Sequence, residues 1–536
     1  LTDVLVSGAG PSGLVLAIEL ARRGIDLRII DRDTSAPTTP RAFVVKPSTF
    51  YAAEQLGVLD QIFEQGVPVQ SMEQSFEGRI AALAISSDER WPWHLNLGED
   101  DLIPILIARL ESLGVLIERG LELVRYEQSA KGVISVLKNR AGGEERVETS
   151  WLIGCDGVHS TIRQAAGIGF EGHDSDLHWH VLDAQIEGWP YKANHGMLYL
   201  DHLVVAIYQT RSAFRIYSLS LNHCDDSWTS LHDILRDVAP SVRLGPPISD
   251  VSFQCSARLA SDYRVGRVLI CGDACHAMSA GSAAGMNTGI QDAMNLGWKL
   301  ASVVSGQADD ALLDTYESER RPAGRAMIDV GQKNDDLWST SDPVERSKAI
   351  RRFSVNFWAY LKNGGNGYEP VMGNYAASSI SVGEQPSIGP GPGTHVPGDI
   401  RLYKANGAAV FLTGALSSPY NTVLLLISDG GLEAEQLVKA AINLVKVSNR
   451  ALDLAVVARS TEGAAARRVL DFDENSLLID PELNCHNRLG IAVRSALWIR
   501  PDGRIGSRND EVDDITLLTN QLDAAFPGLL QSPALS

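Results

Sequence analysis

Cysteine is scarce: six residues in a chain of 536, at Cys155, Cys224, Cys255, Cys271, Cys275 and Cys485. So thin a scatter excludes a disulfide framework and points to a reducing, cytoplasmic setting. Cys271 and Cys275 have no second ligand pair near them in sequence, so they read as buried thiols and no metal is expected. Long apolar runs are also missing. Nothing approaches the roughly 18 consecutive apolar residues that a membrane helix requires, and no basic segment followed by an apolar one marks a secretory signal. Positive charge is in short supply, with 47 basic against 66 acidic residues and a net charge of −19. Such a surface repels nucleic acid and anionic lipid, so neither is an expected partner. What remains is 44% hydrophobic and 21% charged, an ordinary globular balance in a chain too long for one core.

The order of elements is α/β. Residues 3–7 read as a strand and residues 11–23 as a helix, with Leu14, Ile18 and Ala21 at helical spacing and Gly24 as the stop. Residues 27–30 form a second strand that ends on Asp31. Further strands over 151–155 and 267–271 lead into Asp156-Gly157 and Gly272-Asp273, and a helix is expected from about residue 288 to 304. Between 176 and 254 the pattern changes to alternating runs, 203–208 and 214–221, with an acidic helical stretch after Trp228. That predicts an inserted antiparallel sheet. Long helices are expected over 312–361. Residues 364–398 are rich in Gly, Pro and Ser and read as a linker. Strands over 408–413, 422–427, 454–458 and 495–499 then alternate with helices, as in a small separate α/β unit.

Gly8-x-Gly10-x-x-Gly13 lies between the first strand and its helix. The first glycine permits the tight turn, the second lets backbone approach a pyrophosphate, and the third packs helix on strand. Pro11 and Ser12 open the helix, whose N-terminus offers unpaired N–H groups and a positive dipole end to phosphates. Asp31, followed by Arg32, is placed to accept the hydroxyls of an adenosine ribose. This pattern marks a dinucleotide site without separating FAD from NAD.

Two further motifs make that separation by resemblance. Cys155-Asp156-Gly157 with Ser160 and Arg163, then Gly272-Asp273-Ala274, follow the glycine turn in fixed order. Around the last of these run Gly266-Arg267-Val268-Leu269 and the stretch from Asn287 through Asp292, Asn295 and Trp298 to Leu300, then Tyr316-Glu317-x-Glu319-Arg320-Arg321-Pro322. Together with Pro40-Arg41-Ala42, these residues resemble the class A flavoprotein aromatic hydroxylases, the group containing para-hydroxybenzoate hydroxylase and phenol hydroxylase. The resemblance spans roughly residues 3–322. It implies noncovalent FAD held by Gly8, Gly10, Pro11, Ser12, Gly13, Asp31, Arg32, Arg41, Asp156, Gly157, Gly272, Asp273, Gly285, Met286 and Asn287. It also implies NADPH or NADH as reductant, with Asp156-Gly157 serving both cofactors, and O2 and a small aromatic molecule as substrates. After the linker, Pro392-Gly393, Pro397 and Ala496-Leu497-x-x-Arg500-Pro501-Asp502-Gly503 resemble the thioredoxin-like appendage of phenol-hydroxylase-type members. Only Cys485 lies in that region, so a Cys-x-x-Cys pair is lacking and the unit is expected to be structural or dimer-forming.

The implied architecture is a Rossmann-like FAD-binding domain in two parts, 1–175 and 255–363, with a substrate-binding antiparallel sheet over 176–254. Residues 76–98 are assigned to either. A linker over 364–398 and the thioredoxin-like domain over 399–536 complete the chain. A homodimer is left open.

The loop over the flavin departs from the family pattern His-x-x-x-Pro-x-Gly-Gly-Gln-Gly-Met-Asn. Here Ala280 replaces the proline, Ser282 and Ala283 the paired glycines, and Ala284 the glutamine. Loss of proline frees backbone φ at Ala280, while loss of the paired glycines narrows the conformations open to Ser282 and Ala283, and the bulk of a multi-ring substrate is expected to supply the missing part of the wall. Some relatives place a histidine base where this chain has Phe43. No catalytic base is assigned; His202, Tyr208, Arg215 and Tyr217 on the predicted sheet are weak candidates, each more readily read as a solvated or ordinary sheet residue. His94, in Trp91-Pro92-Trp93-His94, either walls the pocket or packs. The expected function is hydroxylation of a phenolic or polycyclic aromatic through a flavin hydroperoxide. The alternatives are the same flavin chemistry ending in Baeyer–Villiger oxidation, epoxidation or rearrangement, or a flavin-binding homologue of altered activity.

Overall fold

The central strand Thr2–Ser7 runs parallel to Leu27–Asp31 on one side and to Glu144–Gly154 on the other, with Val268–Ile270 beyond the latter. Val4, Leu5 and Val6 are all fully buried, as an uninterrupted apolar run must be when helices cover both faces of a parallel sheet. In this computed structural model the described residues are 2–527, less 38–41, 70, 77–78, 85–89, 93, 190–193, 201–202, 211–212, 221–231, 234, 237–239, 341, 363–368, 429 and 449–450. Some elements are described by their backbone alone. The acidic stretch expected after Trp228 falls largely outside them. No described helix is long and apolar enough to cross a membrane.

A second sheet of eight strands is antiparallel in its middle, where Phe170–Ala184 lies between Ser249–Ala260 and Phe214–Ser220. Ser71–Phe76 and Arg79–Ala84 extend its far edge. His94–Asn96 instead joins Val44–Val45 and Val67–Val69 in a small three-stranded sheet. The chain over 76–98 therefore divides between the two. A third sheet of seven strands is built from the C-terminal part, with Asn421–Ile427 parallel to Leu452–Ala458 and antiparallel to Arg494–Ile499. Val423, Leu425 and Ile427 enter one buried cluster, Leu424 and Leu426 the opposite one, so both faces of this sheet are covered.

The helix Gly285–Val304 passes through the interior with every residue from Asn287 to Ser302 buried. Its polar residues therefore need partners. Asp292 receives Arg320 Nε at 2.7 Å and lies 2.5 Å from His276 Nε2. One turn on, Glu319 of the helix Asp314–Ser339 accepts from Asn295 and Lys299 at 2.7 Å each. The same carboxylate accepts both Nη1 and Nη2 of Arg500 at 2.8 Å, and Arg500 also binds Asp502. The C-terminal sheet is thus fastened to the central helix through one buried carboxylate. The described residues after 368 reinforce the joint, since Arg320 donates to Val371 O, Met372 O and the Tyr375 hydroxyl, and Arg504 lies 3.5 Å over the Tyr375 ring.

Glu319 is held well below the ordinary carboxylate range by Arg500 and Lys299, against the opposing effect of burial. The depressed pKa makes its stabilising contribution present above the unfolded-state pKa and lost only in strong acid. Glu319→Gln leaves the buried Lys299 without a carboxylate and Arg500 with Asp502 alone, and is expected to cost about 3–5 kcal/mol, read as a lowered melting temperature at neutral pH. Arg125→Met, which removes an exposed ion pair with Glu144, should leave that temperature unmoved. A second stability test concerns Ala283, a non-glycine residue in the left-handed region at φ 48°. Ala283→Gly should raise stability by about 0.5–1 kcal/mol, the relieved strain exceeding the added freedom of the unfolded chain; a drop in melting temperature would contradict the strain.

Candidate functional site

The site grows from the carboxyl ends of the first parallel sheet, where ligands of open α/β sheets bind. Gly8 takes φ +106° and packs so closely on the strand Glu144–Gly154 that an added Cβ would lie 2.2 Å from Cys155 O. At Gly13 a Cβ would meet Gly8 O at 2.0 Å, whereas at Gly10 it would meet nothing within 4 Å. Two glycines therefore serve packing, and the third faces open space. The helix Pro11–Ala21 starts there without a side-chain cap, leaving its first N–H groups available. Asp31 Oδ2 accepts the Ala9 N–H at 2.7 Å and Oδ1 that of Asp33 at 2.8 Å, so the carboxylate is fixed against the turn while keeping further lone pairs. Arg32 is exposed, and Arg41 lies outside the described residues.

The other two motifs come to the same place. An added Cβ at Gly272 or at Gly289 would each lie 2.4 Å from Ser12 Oγ, so the Ser12 side chain nests between the Gly272-Asp273 turn and the central helix. Arg163 joins the remaining pair: it donates to Val158 O at 2.8 Å and to Ala274 O at 3.0 Å, with its guanidinium 3.7 Å over Phe170. Asp156 Oδ2 accepts the Ile162 N–H at 3.1 Å, while Oδ1 is buried with no partner. Gly157, at φ +79°, also faces space open to 4 Å. Within residues 271–277 every residue is buried except Asp273.

The central helix begins at Gly285 with no side-chain cap at Ala284. The N–H groups of Gly285, Met286 and Asn287 are thus its first open donors. The side chain of Asn287 is otherwise committed: Oδ1 accepts from Lys46 N at 2.9 Å and Thr49 Oγ1 at 2.8 Å, and Nδ2 donates to Val44 O at 2.8 Å. Only its backbone is free to meet a cofactor. Lys46 is half-buried, with Nζ 3.5 Å from Ser282 O, and removal from water lowers its pKa to about 8. His94 is buried, 3.2 Å from Asn96 Oδ1, and burial and the Lys46 charge bring its pKa down to about 3.

The loop that lacks the family's proline is pinned by side chains. Ser279 Oγ donates to Asp335 Oδ1 at 2.6 Å and accepts the Gly281 N–H at 3.1 Å, and Asn334 donates to Gly281 O at 2.8 Å. The Ala280 N–H reaches Cys255 Sγ at 3.3 Å, a donor that proline would lack. Side-chain hydrogen bonds replace the stiffness of the missing ring. Burial raises the Asp335 carboxyl pKa despite its bonds from Ser279 and Ser175.

Beyond the loop stands an apolar wall. Phe43 packs on Tyr217 with ring centroids 4.8 Å apart, within a cluster that includes Trp179, Val181, Leu219 and Cys255 and has Ala280 against it. Arg215, two residues from Tyr217 on the same face, is spent on Asp183, directly across the strand pair, through two bonds of 2.8 Å. Tyr208 lies on Leu203–Gln209, opposite Arg215, with its backbone alone described, and His202 and Trp93 lie outside the described residues. The sequence reading did not single out Lys46, Ser12's nesting role or the Asp335–Asn334 clamp. None of these carried a signal in the sequence alone.

The site suits FAD: two open glycines, an unpartnered buried Asp156 oxygen and two uncapped helix ends offer donors and acceptors for a pyrophosphate, polyhydroxyl chain and ring edge. The comparisons with known proteins agree. The chain is similar to 6-methylpretetramide 4-monooxygenase from Streptomyces rimosus, 30% identical, with 97% of this chain and 93% of that protein covered. Among solved structures, OxyS anhydrotetracycline hydroxylase from Streptomyces rimosus superposes with a TM-score of 0.73 at 26% identity, covering 98% of this chain and 99% of that one. The flavin-dependent monooxygenase PieE in complex with FAD and substrate shares the fold at a TM-score of 0.80 and 20% identity, again over 98% and 99% of the two chains. A model of the FAD binding domain matches residues 1–330, and the chain belongs to that family of FAD-binding proteins.

Proposed function

We propose that the chain is an FAD-dependent monooxygenase that uses NAD(P)H and O2 to hydroxylate a phenolic or polycyclic aromatic compound. The observation that carries this reading is the meeting of three sequence-distant turns, at residues 8–13, 156–157 and 272–273, around Ser12 and Arg163, beside an uncapped helix end and an apolar wall. The names of the relatives support the aromatic substrate, and 6-methylpretetramide and anhydrotetracycline support a multi-ring one.

When bound, FAD would supply the redox chemistry that couples NAD(P)H and O2 to entry of one oxygen atom into the ring. The protein's part is to bind, orient and keep the site dry. The glycine turn and its helix end hold the pyrophosphate, Asp31 the ribose, and Asp273 the ribityl hydroxyls. The N–H groups of residues 285–287 stabilise negative charge on the pyrimidine edge of the ring. The pinned loop and the Phe43–Tyr217 wall exclude water. Replacing proline by Ala280 removes bulk from that wall, which leaves room for a larger substrate.

In this reading residues 399–536 form a thioredoxin-like unit with a structural role, since their single cysteine, Cys485, is buried and burial raises its thiol pKa. The scarcity of cysteine supports a cytoplasmic setting.

Purified protein should be yellow, release free FAD on acid precipitation, and oxidise NAD(P)H faster when a phenol is present. Multi-ring phenols should couple that oxidation to product, while phenol itself leaks peroxide; equal coupling for both would remove the argument from loop bulk. In Asp273→Ala the lost acceptor should weaken FAD binding by about 1–3 kcal/mol, seen as a lower flavin-to-protein ratio in a chain whose melting profile is otherwise retained. An unchanged ratio would place the ribityl chain elsewhere.

A further inference from the structure

Among the described residues Lys46 has no counter-charge. Among the described residues no carboxylate lies within ion-pair distance of its ammonium, and its one side-chain hydrogen bond is the 3.5 Å contact to Ser282 O. A half-buried ammonium so placed carries a desolvation cost that no described residue offsets. Its position is specific. The residue follows the strand Val44–Val45, three places after Phe43, and its backbone N–H is held by Asn287 at the start of the central helix. The loop that its amine touches also packs Ala280 against the Phe43–Tyr217 cluster. Lys46 therefore stands where the aromatic wall, the loop and the ring-facing helix end meet.

The reaction needs a group here. An aromatic hydroxyl activates its ring far better once deprotonated. Phe43, at the position where the resemblance expects a base, is an apolar ring buried against Tyr217, and Arg215 is already paired with Asp183. We propose that Lys46 binds the hydroxyl oxygen of the aromatic substrate and holds it as the phenolate, an inference that rests on reading the chain as a phenol hydroxylase. In the step, the phenol O–H bond breaks and its proton passes to the neutral amine, where the new N–H bond forms. The electron pair stays on oxygen and an ammonium–phenolate pair results. Nothing is oxidised or reduced.

The surroundings suit this role. From the strand His94–Asn96 the amine faces His94, whose low pKa keeps the imidazole neutral near neutrality. Residues 279–288 of the loop and first helical turn, Val44–Val45, and the first turn of Pro47–Leu56 carry no ionisable side chain. With a pKa lowered to about 8, the amine exchanges protons in the working range of such an enzyme.

The test uses oxidised holoprotein and a hydroxyanthraquinone, whose colour reports its ionisation, titrated with pH for the native chain, Lys46→Arg and Lys46→Met. The native chain and Lys46→Arg should lower the apparent pKa of the bound hydroxyl by at least about one unit, a tenfold gain in the ionised form. Lys46→Met should return it to the solution value. Flavin content should be equal in all three, because the backbone of residue 46 still holds Asn287. Unchanged ionisation in Lys46→Met overturns the proposal. So does a Lys46→Met variant that shifts the flavin midpoint potential in ligand-free protein while leaving ionisation intact, since the charge then serves the cofactor. Failure of every phenol to bind or to speed NAD(P)H oxidation in the native chain would instead bring down the functional reading, and this inference with it.

Discussion

The polar side chains of a helix that cannot reach water constrain the rest of the molecule. From Asn287 to Lys299 the central helix presents an amide or a charge at every turn, and each is answered by a different part of the chain. Asn287 and Gln291 are met by residues 44–49, Asp292 by His276 and Arg320, and Asn295 and Lys299 by Glu319. Apolar contacts alone would let such a helix slide or rotate at small cost; unpaired buried polar groups would not. The partners therefore set its axial position and its rotation. They set where its open N-terminus points, and so where a flavin ring is held under the proposed reading.

That constraint also links the two ends of the chain. Glu319 answers Lys299 on the helix and Arg500 on the C-terminal sheet with one carboxylate, so the distant unit is registered to the same helix that lines the site. A buried network of this kind adds little net stability over an apolar joint, but it penalises every other alignment. It accounts for Trp298 lying in the core cluster of the C-terminal sheet while residues of the same helix touch the glycine turn.

Much of this was legible because it is local. The spacing of Gly8, Gly10 and Gly13 between strand and helix gave the turn, and the apolar runs ending on Asp31, Asp156 and Asp273 gave the strands that carry it. The strand residues 422–427 and 495–499 were equally plain, since runs of Leu, Val and Ile buried on both faces have few other uses. The contacts between segments were not legible. Both Glu319-Arg320-Arg321-Pro322 and Arg500-Pro501-Asp502-Gly503 stood out as motifs, yet nothing in either says that they meet. The loop at 279–285 shows the same limit: the missing proline was visible, but the partners that compensate for it, Asp335 accepting from Ser279 and Asn334 donating to Gly281, lie on a helix more than fifty residues away. Composition marked residues 364–398 as a connector, while Val371, Tyr375 and Val396 are buried within it. Lys46 was hidden for another reason, because one lysine in an apolar run looks like any surface lysine until its neighbours are known.

Under the proposed function the converging turns hold an FAD that inserts oxygen into an aromatic ring. The most direct measurement is the mass of the product formed from a multi-ring phenol under ¹⁸O2 with NAD(P)H. An intact ring system carrying one labelled oxygen atom per turnover is expected. A product without the label, or NAD(P)H consumption that ends entirely in peroxide for every aromatic tried, would contradict it.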